Sequence, residues 1–199
     1  DKKLTFSYWT KGHSIGSTDV NYHFIKFDDS SERAYIGLWG SEWRFYQRDS
    51  SGAHFYYLTQ PLTFRDPSAW YHFCVIVDTT DGTAGDRIKL FVNGVRYTNW
   101  HTATTPSLNR TLRFLTDTST ELHIGKYSDA TGYTFNGYMS EIYFIDGQAS
   151  GPEYFGETNA LTNQWQPKNP SDVKKGVTFG TNGFYLPFSN DALATSFTD

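Results

Sequence analysis

Residues 65–94 read RDPSAWYHFCVIVDTTDGTAGDRIKLFVNG. Tyr71, Phe73, Val75 and Val77 share one parity, and so do Ile88, Leu90 and Val92. Period-two alternation of this kind places each set on one face of a pleated strand. Asn93-Gly94 supplies the two positive-φ residues that a two-residue hairpin turn prefers. Two strands joined by a polar excursion, with a tight turn after the second, predict an antiparallel sheet.

The same texture extends in both directions. Leu4–Thr10, Val20–Phe27, Ala34–Trp39, Trp43–Gln47 and His54–Thr59 read as strands, with a hairpin turn at Gly40-Ser41. Val95–Trp100 returns from the Asn-Gly turn. Leu112–Leu115, Glu121–Gly125 and Tyr138–Ile145 follow as further strands. Ser150-Gly-Pro-Glu153 has capping-box spacing, which predicts one helix of a turn or two over Pro152–Phe155, ended by Gly156. Beyond Gly156 the chain becomes polar and turn-rich, with Trp165 as its large anchor and one strand over 183–188. The fold class expected is therefore all-β: a two-sheet antiparallel sandwich over 1–156, with one short helix. Residues 157–199 form a mostly irregular C-terminal extension packed on it.

Composition narrows the function. The chain has 199 residues and a formal net charge of −4, with no basic run of the sort that binds nucleic acid. It has no apolar run near the roughly 20 residues of a membrane span. The single cysteine, Cys74, lies mid-strand and reads as a buried, inert thiol. Six histidines are scattered without HxH or HExxH spacing. Aromatic residues reach 18%. Most serve a sheet core, Trp9 and Trp70 among them, and some remain for stacking on a ligand.

The ordered motifs FSYW, AWYHFCVIVD, IKLFVNGV, LHIGKY and FNGYMSEIYFIDGQASGPEYFG resemble laminin-G-like modules of the concanavalin A-like lectin/glucanase superfamily, over Thr5 to Gly156. That resemblance implies a jelly roll. RDPSAWYHF, DRIKLFVNG, FIDGQASGPEYFGETNA and GTNGFYLPFSND further resemble a module of bacteriophage tail or head appendage proteins, in which more sequence usually follows.

The superfamily contains glucanases, and retaining hydrolysis needs two carboxylates about 5–5.5 Å apart. The nearest run, Glu141-Ile-Tyr-Phe-Ile-Asp146, puts its two acids on opposite parities with no third acid after them. The chain therefore reads as no enzyme, and a secreted β-glucan hydrolase is the weakest alternative. No cofactor is expected beyond calcium, which the family often holds at a sandwich rim. Its candidate ligands are Asp28 and Asp29 in one turn and Asp78, Asp81 and Asp86 in the DTTDGTAGD loop. The candidate ligand-binding residues are Trp39 and Trp43, which flank a turn, and Asn99, Trp100 and His101, which enter a polar loop. The expected function is a non-catalytic, extracellular virion module that binds a cell-surface glycan or another virion protein. The alternative is a purely structural oligomerisation or capsid-decoration domain. Homo-oligomerisation, or a place in a larger virion assembly, is expected of either. Neither nucleic acid nor membrane insertion is expected.

Overall fold

The computed structural model describes residues 2–12, 20–27, 32–49, 52–62, 66, 68–116, 121–126 and 134–188. Its strands are β1 (Lys3–Lys11), β2 (Val20–Phe27), β3 (Arg33–Trp39), β4 (Glu42–Arg48), β5 (His54–Thr59), β6 (Tyr71–Asp78), β7 (Ile88–Val92), β8 (Val95–Tyr97), β9 (Trp100–Thr104), β10 (Leu122–Ile124), β11 (Tyr138–Asp146), β12 (Gly156–Thr158), β13 (Trp165–Pro167) and β14 (Phe184–Leu186). Two antiparallel six-stranded sheets face each other, in the orders β14-β11-β1-β6-β7-β8 and β10-β2-β3-β4-β5-β9. Strands β12 and β13 form a separate hairpin. The architecture is the all-β jelly-roll sandwich expected.

The parity of residues 65–94 is realised in packing. Phe73, Val75, Val77, Ile88 and Leu90 point inward and are buried. Asn93 (φ 48°) and Gly94 (φ 77°) both take the left-handed conformation that a two-residue hairpin requires. The Asn93 side-chain oxygen also accepts from the His72 backbone N–H at 2.8 Å. Between the sheets, Phe6 stands at the centre, with ring centroids 4.7 Å from Phe24, 4.6 Å from Phe144 and 5.1 Å from Phe114.

The first sheet is covered on both sides. Its outer residues Cys74, Ile76, Tyr143 and Ile145 pack under Phe155, Val173, Val177 and Tyr185. Burial on two faces explains why β6 reads Phe-Cys-Val-Ile-Val with no polar alternation. The second sheet is covered on both faces at β2 and β3, where residues 23–26 and 34–38 are all buried, and it alternates at β4 and β5. Along β4, Trp43, Phe45 and Gln47 are buried, while Glu42, Arg44, Tyr46 and Arg48 are only half-buried. The outer face of this sheet is therefore open at β4 and β5.

Four expectations are corrected. Val95–Trp100 is not one strand: β8 ends at Tyr97, and the chain crosses at Thr98-Asn99 into the other sheet, where Trp100 begins β9. The Trp100 ring packs against Tyr57 and Tyr97 beneath that crossing. Leu112–Leu115 is no strand. It overlaps a single helical turn, α1 (Arg113–Thr116), because burying Leu112, Phe114 and Leu115 together suits a turn better than a pleat. Gln47 holds that turn, accepting from Arg113 N–H at 2.9 Å and donating to the Thr111 carbonyl at 3.1 Å. The helix at Pro152 is one 3₁₀ turn over Pro152–Tyr154, with Gly151 at its N-cap and no side-chain cap. The Ser150 hydroxyl oxygen finds no hydrogen-bond partner among the described residues, and the Ser150 N–H, which Glu153 would reach in a capping box, donates instead to Thr5 Oγ1 at 2.9 Å.

Finally, β14 is the strand expected over 183–188, while the helix count and the irregularity of the rest of the extension are corrected by β12–β13 and by α2 (Pro170–Gly176). Asn169 caps α2 through Ser171 N–H at 2.9 Å, and Pro170 takes a first-turn position where its missing N–H costs nothing. No described helix is long and apolar enough to cross a membrane.

Candidate functional site

Cross-strand register assembles a surface on the open face of the second sheet. Tyr35, Tyr46 and Tyr56 align across β3, β4 and β5, and Arg33, Arg48 and His54 form the next row. The rings stack: Tyr35 on Tyr46 at 5.1 Å and 15°, and His54 on Tyr56 at 5.6 Å and 21°. The Arg33 guanidinium lies 5.4 Å from the Tyr46 centroid. Arg44 lies 4.5 Å from the Trp39 centroid, a close cation–π approach. Glu42 then joins two elements: one carboxylate oxygen accepts from Arg44 Nη2 at 2.8 Å, and the other faces His101 Nδ1 at 3.3 Å.

The strip is electropositive on a chain of net charge −4. Among the described residues of β3 and β4 it carries Arg33, Arg44 and Arg48 against Glu42. At its end Arg48 lines a cleft of ≈ 470 Å³ together with Asp49, Asn109, Arg110 and Arg113. Asp49 pairs with Arg110, and Glu32 pairs with Arg113. Among the described residues Arg48 has no carboxylate partner. Burial raises the Tyr35 hydroxyl pKa, against the opposing pull of Arg44 and Arg33, so the tyrosine stays neutral and adds no negative charge.

The sequence candidates divide. Trp39 is 38% exposed and meets His101 through Arg44 and Glu42. Asn99 is exposed at the crossing between the sheets. Trp43 is corrected: it is fully buried, its indole N–H donating to Tyr8 Oη at 3.3 Å. It shares the inward parity of Phe45, and its place beside a turn does not change that. Trp100 is also turned inward, its ring edge-on to Tyr57 at 4.8 Å. Conversely Trp70, expected in the core, is 39% exposed, while Trp9 is buried. The sequence reading missed Arg33, Glu42, Arg44, Tyr46, Arg48, His54 and Tyr56. For Glu42, Arg44, Tyr46 and Arg48 the signal was available in EWRFYQR, where every second residue is charged or a tyrosine.

The calcium candidates divide as well. Asp28 and Asp29 lie outside the described residues. Asp78 meets Lys3 Nζ at 2.9 Å, Asp81 meets Lys89 Nζ at 3.6 Å, and Asp86 pairs with Arg96. Asp78 and Asp81 also accept the Thr80 and Thr83 N–H groups at 2.9 and 2.8 Å. Partial burial pushes the Asp78 carboxyl up, but the hydrogen bonds from Thr80 and Lys3 win and hold it below the usual range. Three lysine or arginine partners compensate these carboxylates. The described residues contain no group of three or more His, Cys, Asp or Glu side chains placed to hold a metal ion.

No curated protein matches the sequence. Domain 4 of AbnA, a GH43 extracellular arabinanase from Geobacillus stearothermophilus solved with arabinotriose, is 15% identical over 89% of this chain and 67% of its own, with a TM-score of 0.46. The SAP-like pentraxin of Limulus polyphemus is 16% identical over 75% and 65%, with a TM-score of 0.43. Domains LG4-5 of the mouse laminin alpha1 chain are 13% identical over 74% and 36%, with a TM-score of 0.48. The chain thus spans between about a third and two thirds of these solved chains, and likeness at this level carries no functional argument. A family model does match, over residues 1–153. With that match over most of its length, the chain belongs to the Laminin_G_3 family of the Concanavalin A-like lectin/glucanases superfamily.

Proposed function

We propose that this protein is a non-catalytic carbohydrate-binding module whose open sheet face takes an acidic glycan. The observation that carries this is the Trp39–Arg44–Tyr46–Tyr56 strip with Arg33 and Arg48 beside it. Tyrosine and tryptophan rings offer flat apolar faces at low entropic cost. Guanidiniums match carboxylate and sulfate geometry and stay charged at every physiological pH. Together they suit a sugar ring bearing an anionic group.

The acid pair does not support hydrolysis. Glu141 and Asp146 are five residues apart on one strand, roughly 16 Å at the strand rise, beyond the carboxylate spacing of either glycosidase class. Asp146 is further tied to Asn182 Nδ2 at 2.8 Å. The place of such a module in a bacteriophage appendage, extracellular on the virion and part of a larger assembly, is supported by the ordered motifs named above. A structural decoration domain is the rival reading.

Isothermal titration with oligogalacturonate and heparin-derived oligosaccharides tests the proposal. Binding by the native chain, weakened at least tenfold in Arg44→Ala, supports it. Absence of binding to acidic and neutral glycans alike would leave the decoration reading in its place.

A further inference from the structure

A second surface lies on the other sheet, where hairpin β12–β13 stops short of the β1–β11 pair. A groove of ≈ 370 Å³ opens there, lined by Trp9, Trp70, Ser140, Glu141, Trp165 and Pro167 among others. Two of its rings are fixed. Trp9 stacks on His72 at 5.0 Å and 25°, and Trp165 stacks on His72 at 5.9 Å and 26°. The Trp165 indole N–H donates to His72 Nδ1 at 2.9 Å. Gly94 and Gly156 let this ring seat, since a Cβ at either would lie 2.7 or 2.5 Å from it. The third ring, Trp70, is the exposed one, with the Lys11 ammonium 5.2 Å from its centroid.

The polar side of the groove is as ordered as its walls. The β1–β11 register shifts between Ser7 and Trp9, so two β11 residues, Glu141 and Ile142, oppose Tyr8 alone. Glu141 takes φ 50° at this bulge. That left-handed conformation is strained for a residue with a side chain, and such strain clusters at ligand sites. Its Oε2 accepts from Tyr143 Oη at 3.0 Å and Tyr185 Oη at 2.9 Å. The carboxylate is thus oriented before any ligand arrives.

Charge selects the occupant. Glu141 and Lys11 balance, so the groove offers no net charge, in contrast to the arginine-rich face. We propose that this tryptophan groove is a separate saccharide site for an uncharged sugar ring, stacked on Trp70 with its hydroxyls donating to the Glu141 carboxylate. It rests on the glycan-binding reading above but uses different residues and a different ligand charge.

A glycan array carrying neutral and acidic oligosaccharides, probed with the native chain and with Trp70→Ala, Trp70→Phe, Glu141→Gln and Arg44→Ala, tests it. Trp70 is exposed in a loop, so its variants keep the fold, which circular dichroism verifies. Neutral-glycan binding reduced at least tenfold by Trp70→Ala and by Glu141→Gln, kept by Trp70→Phe and untouched by Arg44→Ala, supports the groove. Neutral binding that follows Arg44 instead, or an array bound only through acidic glycans, overturns the groove and leaves the sheet-face reading standing. An array with no glycan bound overturns both.

Discussion

Acidification will destabilise this protein through His72, in a pH window set by that residue's surroundings. His72 is fully buried on β6, and both ring nitrogens are engaged. An indole N–H can only donate, so Nδ1 accepts from Trp165, and Nε2–H donates to Ser7 Oγ at 2.8 Å. A proton on Nδ1 would confront the Trp165 N–H. Burial pushes the pKa down from 6.5 to about 3. The unfolded chain protonates this histidine below pH 6.5 and the native state does not until about pH 3. Between those values the unfolded state binds more protons, and stability falls as pH falls. At pH 5 the accumulated loss is about 2 kcal/mol relative to pH 7.5. By pH 3 it reaches about 4 kcal/mol, close to the lower end of a small domain's whole stability. Urea denaturation at pH 7.5, 6.5, 5.75 and 5 measures this above the range where the aspartates titrate. The midpoint should drop by roughly 1 M between the extremes. In His72→Gln, whatever its starting stability, the slope should flatten by that amount. Nitrogen NMR of the native imidazole should show a neutral Nε2–H tautomer unchanged down to pH 5. Equal slopes in the two proteins, or an imidazolium signal at pH 5, would refute the reasoning.

Three further outcomes follow from the packing. Gly156→Ala puts a Cβ 2.5 Å from the Trp165 ring, so the indole must shift and release His72. A loss of about 1–3 kcal/mol in urea unfolding is expected, together with a shallower pH slope from a partly rehydrated imidazole. Phe6→Ala empties the centre of a four-ring cluster and should cost about 3–5 kcal/mol by the same measurement. Cys74 is fully buried, and burial raises its thiol pKa well above the ordinary value. A chromogenic disulfide reagent should therefore leave the native protein unmodified and titrate one thiol in urea; rapid native labelling would contradict the burial.

The sheets were legible because their signal is local. Phe73, Val75 and Val77 sit two apart, and Asn93-Gly94 announces its turn within two residues. What failed was non-local. Nothing around Thr98 says that the next strand belongs to the opposite sheet, because its partner there is β5, some 40 residues back. Trp165 and His72 are 93 residues apart, so their pairing has no sequence signature. Trp43 is a different failure. Its parity with Phe45 was readable, and proximity to Gly40-Ser41 outweighed it. The aromatic face was half-legible for the same reason. Trp39 was singled out by its turn, while Arg44, Tyr46 and Arg48 carried the stronger evidence of outward alternation.

The extension explains why the two surfaces differ. Without it, Cys74, Ile76, Tyr143 and Ile145 would form an exposed apolar sheet face, which a folded chain avoids. Val173, Val177 and Tyr185 of the extension close that face together with Phe155 just before it, and β14 pairs with the edge of β11. Residues 157–188 are therefore as much a part of the core as the strands they cover. Closing one sheet leaves β4 and β5 of the other as the broad open face among the described residues, and there tyrosines and arginines are prominent among the outward residues. The cover is incomplete at the β11 bulge, where the extra residue turns Glu141 outward and Trp165 bounds the gap. The same segment thus completes the core on one side and builds one wall of a groove on the other, so the groove cannot form on a sandwich that ends at Gly156.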